Sequence, residues 1–228
     1  MARAGLLAFR ARVVGAADHH VLVVPGGVGP ARESQAAADT PRKLTMNVVL
    51  RPAGRGDKRQ VYDWLAHSDA TPAMLGPPDF PDAPAPAWEA FDEDYDDSYF
   101  SPEGDGAGRM FVIEAEGRAI GCISYAGLEQ WSGTAELDIW IASASDWGRG
   151  WGSAAIRQLS EYLLGYAAVS ALLIRPSARN ARAIAAYRRA GFEPFRPGAH
   201  PVSESAAREG LDYEDAVVLV KTRNAADK

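Results

Sequence analysis

Alternation of hydrophobic and polar residues predicts strands at several places after residue 47. Val48–Pro52 is an apolar run that ends at a proline. Two further apolar stretches, 110–116 and 119–128, flank the turn sequence Glu116-Gly117-Arg118 and predict a hairpin. Short apolar runs at 171–174 and 216–221 predict two more strands. The chain is therefore expected to build a sheet that begins with a hairpin.

The stretch 134–142 alternates most regularly. Its residues predict a strand with an apolar face of Leu137, Ile139 and Ile141 and an opposite face of Glu136, Asp138 and Trp140. One face of such a strand is expected to pack on the core, and the other can present polar side chains to a ligand.

Apolar residues at helical spacing predict helices between these strands. The predicted helices lie at 56–67, 87–95 and 180–190, and a further helix with the apolar stripe Ile156, Leu159 and Leu163 follows the glycine-rich turn over 147–152. A loop over 71–86, which holds six prolines, separates the first two. Gly191 follows the last helix, as a C-terminal capping glycine does. The order of elements predicts a mixed α/β fold of one domain, with a central, mostly antiparallel sheet flanked by helices.

Residues 1–45 lack any sustained period and are predicted to be a flexible extension, with the folded domain over 46–228. Met46 stands directly before the first strand, and we hypothesise that it is the natural start.

Charge and composition exclude several classes of function. A net charge of -6 does not favour nucleic-acid binding, and no apolar run is long enough for a membrane span, so a cytoplasmic protein is expected. One cysteine, Cys122, allows no internal disulfide, and its position within a strand favours a core residue over a nucleophile. The four histidines are scattered, and no metal site is expected.

A candidate anion-binding site lies between a strand and a helix, at the turn Trp147-Gly148-Arg149-Gly150-Trp151-Gly152-Ser153. Glycines let backbone N–H groups approach a phosphate, and a helix N-terminus attracts an anion. Arg149 adds a positive charge. A tight turn with glycines for backbone reasons alone is the alternative.

This turn resembles the pyrophosphate-binding element of the GNAT (GCN5-related N-acetyltransferase) superfamily, Arg/Gln-x-x-Gly-x-Gly/Ala, with Trp147 in place of the usual Arg or Gln. The later stretch from Pro176 to Phe192, with Asn180 opening a helix and Tyr187 before a Gly-Phe turn, is similar to a second GNAT signature. Within the superfamily, the chain is most similar to the aminoglycoside 6'-N-acetyltransferases.

The resemblance implies an N-acetyltransferase that uses acetyl-CoA. The residues expected to contact the cofactor are Ile141 and Ala142 through their backbone, Arg149, Gly150, Trp151, Gly152, Ser153, Asn180 and Tyr187. Asn180 could instead be only a helix cap, and Tyr187 only a core aromatic residue.

Acetyl transfer to an amine needs a base for the ammonium, an acid for the thiolate and correct positioning. Asp138 is the expected base, with Glu136 as the second candidate, and Tyr187 is the expected acid. Trp140, Asp215 and Asp138 itself are candidate substrate-binding residues, although Trp140 could equally belong to the core.

An acidic segment around the predicted second helix is either a rim that attracts a cationic acceptor or a solvated helix face. The segment consists of Glu89, Asp92, Glu93, Asp94, Asp96 and Asp97. Arg175 counts against an aminoglycoside, because the resemblance implies an acidic residue there.

Three functions fit the sequence. The first is acetylation of a primary amine on a small cationic molecule, an aminoglycoside among them, which would confer antibiotic resistance. A protein or peptide N-acetyltransferase is the second, and a CoA-binding regulatory module without catalysis is the third. A monomer and a homodimer both remain open.

Overall fold

The computed structural model describes residues 48–72, 85–101, 108–128, 131–166, 168–208, 211 and 213–223. The predicted extension over 1–45, the hypothesised start at Met46 and most of the proline-rich loop over 71–86 lie outside these ranges.

Seven strands form one sheet in the order β1-β2-β3-β4-β5-β7-β6. Their bounds are β1 Val48–Pro52, β2 Gly108–Ala115, β3 Arg118–Ala126, β4 Thr134–Ile141, β5 Ala171–Ile174, β6 Glu193–Pro194 and β7 Leu219–Thr222. Only the β4–β5 pair is parallel among these strands. The predicted mixed, mostly antiparallel sheet is confirmed.

Five α-helices accompany the sheet within the described ranges. They are α1 Lys58–His67, α2 Trp88–Asp94, α3 Trp151–Leu164, α4 Ala181–Arg189 and α5 Glu204–Arg208. The four predicted helices correspond to α1 to α4. Single 3-10 turns precede α1 and follow α2 and β4.

The two faces of the sheet support separate cores. On one face, the apolar stripe Ile156, Leu159 and Leu163 of α3 packs with Leu137 of β4 and Tyr187 of α4. On the other face, α1 and α2 pack over an aromatic core that contains Trp140. The predicted division of β4 into two faces is confirmed, but both faces are covered. Burial of these apolar surfaces is the main stabilisation of the domain.

The sequence did not predict β6 or α5. β6 has two residues and α5 has five, so neither carries a measurable period. The predicted last strand also begins later than expected. Ala216 makes only an isolated bridge with Ser177, and regular pairing starts at Leu219.

Candidate active site

The candidate site begins where β4 and β5 separate. Paired residues of the two strands run from Thr134, opposite Ala171, to Glu136, opposite Leu173, whereas β4 continues to Ile141. Because hydrogen-bonding groups alternate along an antiparallel strand, and Ala142 N–H donates to Ile120 on the β3 side at 3.0 Å, the groups of Ile139 and Ile141 face the β5 side. The second half of β4 therefore presents an open edge within the sheet.

Ile141 and Ala142, whose backbones are expected to contact the cofactor, point their backbone groups in opposite directions at this edge. Ile141 faces the gap, and its carbonyl accepts a hydrogen bond from the Trp147 indole at 2.8 Å. Ala142 faces the other way, and its carbonyl accepts from Asp69 N–H at 3.1 Å. The expectation for Ala142 is corrected, because its N–H and its carbonyl both point away from the gap.

The start of α3 lies at the end of this gap. Gly150, the N-cap, has φ of 84°, a left-handed conformation that glycine adopts without strain. Ala154 N–H donates to Gly150 O, so the N–H groups of Trp151, Gly152 and Ser153 precede the first helical hydrogen bond. These groups, with the helix dipole, form a place for an anion.

Gly152 and the open edge are close neighbours. A Cβ atom on Gly152 would lie 3.6 Å from Cγ1 of Ile141, which is ordinary contact. The helix start is therefore packed directly against the end of β4, and the gap leads to its free N–H groups.

Side chains of the glycine-rich turn are engaged with the protein. The Trp151 indole is buried in the core, and the guanidinium of Arg149 lies 4.9 Å from the centroid of its ring. Arg149 also lies 3.6 Å from the Glu116 carboxylate. The Ser153 hydroxyl is buried and faces the Ala186 carbonyl at 3.4 Å. For Trp151 and Ser153, the backbone rather than the side chain is thus presented to a ligand.

An ion pair that sequence reasoning missed fixes the turn to the β2–β3 hairpin. Asp146 is buried and accepts two hydrogen bonds from the Arg118 guanidinium, 2.8 Å and 2.5 Å long. These hydrogen bonds lower the pKa of Asp146. No local pattern signals a pair between residues 28 positions apart, and only the fold brings them together.

Asn180 and Tyr187 stand on α4, on the other side of the gap. Asn180 caps the helix, since its Oδ1 accepts from Ala183 N–H at 3.1 Å, and its Nδ2 group is left to donate elsewhere. Tyr187 is buried, and burial, with a further contribution from Asp138, raises the pKa of its phenol. Tyr187 therefore stays protonated above the ordinary range of a tyrosine.

Asp138 and Tyr187 lie on opposite faces of the sheet. Asp138 lies opposite Ser124 in the β3–β4 register, on the face that α1 and α2 cover. Tyr187 belongs to the core beneath α3 and α4. Their charges interact nonetheless, because the Asp138 carboxylate contributes to the raised pKa of the phenol.

Glu136, the second candidate base, is held by Arg175. Two hydrogen bonds of 2.5 Å join the guanidinium to the carboxylate, and both side chains are largely buried. Both carboxylate oxygens of Glu136 are therefore engaged by Arg175, and an ammonium could bind them only by opening this pair. The positive charge of Arg175 is compensated within the protein.

Of the three candidate substrate-binding residues, Trp140 is buried and Asp215 is engaged by neighbouring side chains. Trp140 is 2 % exposed and packs edge-on against Tyr95 in the core, so the core reading of this residue is correct. Asp215 accepts hydrogen bonds from the Ser177 hydroxyl at 2.9 Å and from Arg179 at 3.2 Å. Its charge is thus partly neutralised by a neighbouring arginine.

Part of the acidic segment is also neutralised. Lys58, a buried residue of α1, forms ion pairs with Asp92 and Asp97, and Asp96 caps the following turn through Ser98 N–H. Asp92, Asp96 and Asp97 are therefore engaged within the protein.

Cys122 is fully buried in the strand opposite Trp140, and burial raises the pKa of its thiol. It is a core residue. In the part of the chain that the structure describes, no cluster of His, Cys, Asp or Glu could hold a metal ion. Within the same residues, every helix is too short or too polar to cross a bilayer.

Comparison with known proteins identifies similar sequences and folds. The family profile described as acetyltransferase (GNAT) domain matches residues 47–193. No curated protein sequence matches the chain. A solved structure of AAC(6')-Ib with ribostamycin and coenzyme A shares 25% identity, covers 79% of this chain and 96% of that chain, and has a TM-score of 0.59.

Two further structures show the same fold. One is the aminoglycoside acetyltransferase AAC(6')-Ib with coenzyme A, at 23% identity, coverage of 79% and 98%, and a TM-score of 0.57. The other is spermidine N-acetyltransferase from Vibrio cholerae with CoA and spermine, at 18% identity, coverage of 77% and 95%, and a TM-score of 0.56.

Proposed function

The chain belongs to the acetyltransferase (GNAT) domain family, and from this premise we propose that it transfers the acetyl group of acetyl-CoA to a primary amine of a small cationic molecule. The observation that carries the proposal is the open edge of β4, which ends against the free N–H groups at the start of α3. This arrangement fits an extended thiol chain that ends in a diphosphate.

The cofactor is proposed to bind as an added strand along the gap. The backbone groups of Ile139 and Ile141 would pair with the amides of pantetheine, as an extended ligand does at a free sheet edge. The diphosphate would lie at the N–H groups of Trp151, Gly152 and Ser153. For pantetheine to pair with the Ile141 carbonyl, it must share or displace the Trp147 indole.

The proposed chemistry uses one residue from each side of the gap. Asp138 accepts a proton from the substrate ammonium, directly or through water, and the free amine attacks the thioester carbonyl. A C–N bond forms, the C–S bond breaks, and the phenol of Tyr187 donates its proton to the departing thiolate. The acylated nitrogen then gives up its extra proton, which restores the phenol and leaves a neutral amide. The raised pKa of Tyr187 supports this role, since the acid form must persist at the working pH.

An aminoglycoside, acetylated at its 6'-amine, is the proposed acceptor. Similarity to the AAC(6')-Ib structures supports this choice, and similarity to the spermidine enzyme makes a polyamine the second candidate. The pair Glu136–Arg175 removes one objection, because the arginine is neutralised and does not repel an amine. Acetylation of such a drug would confer resistance on the cell that makes the enzyme.

Thiol release from acetyl-CoA tests the proposal. A thiol-reactive dye would follow release against kanamycin- and gentamicin-type aminoglycosides, spermidine, free amino acids and short peptides. Because Cys122 is buried, it should contribute no background. We expect fast release with an aminoglycoside or a polyamine. Release only with peptides would overturn the small-molecule proposal, and CoA binding without release with any acceptor would favour a regulatory module.

A further inference from the structure

Trp147 lies beside the proposed cofactor gap, and the motif that this turn resembles gives no role for a tryptophan at its position. It stands three residues before the helix N-cap Gly150, where the resembled motif carries Arg or Gln. Its indole N–H donates to the Ile141 carbonyl at 2.8 Å, which fixes the ring at the open edge of β4. A neutral indole cannot replace the donors of an arginine or a glutamine toward a phosphate.

The face of this indole is covered by an arginine from another element. The guanidinium carbon of Arg182, in the first turn of α4, lies 3.5 Å from the centroid of the Trp147 ring. This is a stacking distance, and tryptophan is the best aromatic partner for a cation. A stacked guanidinium keeps its N–H donors at the ring edge, where they are available to a planar or tetrahedral anion.

Arg182 differs from the other arginines around the gap in whether a carboxylate neutralises its charge. The others are paired with carboxylates, namely Arg118 with Asp146, Arg149 with Glu116, Arg175 with Glu136 and Arg179 with Asp215. Within the described residues, Arg182 takes part in no ion pair, and desolvation lowers the pKa of its guanidinium. The guanidinium is therefore held in place by the Trp147 ring with no carboxylate partner in the described part of the chain, and its charge is available to an anion.

We propose that Arg182, held on the Trp147 ring, binds the diphosphate of CoA from the α4 side, in place of the motif side chain that this chain lacks. The N–H groups at the start of α3 would hold the same anion from the other side. Trp147 is then a positioning residue, because it acts by holding Arg182. The inference rests on the proposed cofactor site and adds to it a cation that the sequence motif does not contain.

Titration calorimetry with CoA and with 3'-dephospho-CoA tests the assignment. Arg182→Ala should weaken both ligands equally, by about 10- to 100-fold, because a charge-assisted contact to the diphosphate is lost from each. The difference in affinity between variant and wild type should narrow as salt concentration rises, since Arg182 is exposed. Arg182→Lys should recover part of the affinity, as it keeps the charge but not the planar stack.

Two further variants separate this role from a general effect. Arg188→Ala removes the same charge from an exposed residue in the last turn of α4 and should leave both affinities unchanged. Trp147→Leu should weaken binding, and its effect should not add to that of Arg182→Ala, because the two residues form one unit.

Three results would overturn the inference. The first is an unchanged CoA affinity in Arg182→Ala. The second is a loss of affinity for CoA but not for 3'-dephospho-CoA, which would place the arginine at the 3'-phosphate. The third is an equal loss of affinity in Arg188→Ala. If wild type itself bound no CoA, the proposed function would fail rather than this assignment.

Discussion

At the scale of single residues, environment decides which of the candidate side chains can carry chemistry. Asp138 and Glu136 are the same kind of group on one face of β4. Glu136 is held by Arg175, whereas Asp138 lies near enough to Tyr187 to raise the pKa of its phenol. The sequence identified all three candidate side chains and placed Asp138 before Glu136. It could not predict the ion pair that holds Glu136, because that pair joins residues 39 positions apart.

The raised pKa of the Tyr187 phenol predicts how kcat depends on pH. Because burial and Asp138 favour the neutral phenol, its proton should be retained above the ordinary tyrosine pKa of about 10. We expect kcat to rise with pH as the substrate amine is deprotonated, and not to fall between about pH 8 and 10. A descending limb in that interval, absent from Tyr187→Phe, would show that the phenol titrates normally.

Tyr187→Phe should itself lower kcat by about 100-fold, the effect typical of losing a general acid. The KM for acetyl-CoA should change little, since the ring remains in its core position. Steady-state kinetics measures both quantities. A variant with wild-type kcat would remove Tyr187 from the mechanism and leave it a core aromatic residue.

Two glycines of one turn should respond differently to the same substitution. Gly150→Ala places a Cβ on a left-handed residue with φ of 84°, at a cost of about 1 kcal/mol, and should weaken CoA binding by distorting the helix start. Gly152→Ala meets only ordinary contacts and should leave binding nearly unchanged. CoA titration of the two variants makes the comparison, and equal effects would contradict the geometry described for the turn.

At the scale of elements, hydrophobic periodicity predicted the strands and helices that are long enough to carry a regular pattern. The hairpin, β4, α3 and α4 all carry clear patterns, and each was found where predicted. β6 and α5 are too short for a pattern, and their existence depends on pairing with β7 and on packing around Val202. The separation of β4 from β5 was equally hidden, because it depends on two strands more than 30 residues apart.

Close packing of β3 against β4 gives a prediction for Gly121. A Cβ there would lie 1.9 Å from the Trp140 carbonyl oxygen, so backbone would have to move. Gly121→Ala should destabilise the domain by about 2 kcal/mol or more, measured by denaturant unfolding. Gly56→Ala, whose Cβ meets no atom within 4 Å, is the matched control. Similar stability of the two variants would contradict the register.

The Asp146–Arg118 pair links the hairpin to the cofactor turn and should make stability depend on pH. Arg118 lowers the pKa of Asp146 in the folded state, so the pair stabilises fully above the unfolded pKa of about 4. That stabilisation is lost as pH falls through the lowered folded pKa. Asp146→Asn should therefore melt below wild type at pH 7, and the difference should shrink in acid.

Arg118→Met should lower the melting temperature in the same way, and the double variant should be no worse than either single one. Additive losses, or a difference from wild type that is independent of pH, would show that the pair does not stabilise the turn.

At the scale of the whole molecule, the fold and the family followed from two motifs in the right order and from the alternation of elements. The acceptor did not, because specificity depends on which charges remain uncompensated after folding. Pairing of Glu136 with Arg175, and of Lys58 with Asp92 and Asp97, removes charges that the sequence counted as free. The account therefore rests on the gap, in which the cofactor, Asp138 and Tyr187 are proposed to meet.

The measurement that tests this account most directly is the turnover and the CoA affinity of Asp138→Asn, assayed with the best acceptor of the amine panel. Asp63→Asn, the same change on the exposed surface of α1, is the control. We predict that kcat of Asp138→Asn falls by about 100-fold or more while the Kd for CoA stays within about twofold of wild type. Turnover equal to wild type would contradict the assignment of Asp138 as the base and the proposed use of the gap.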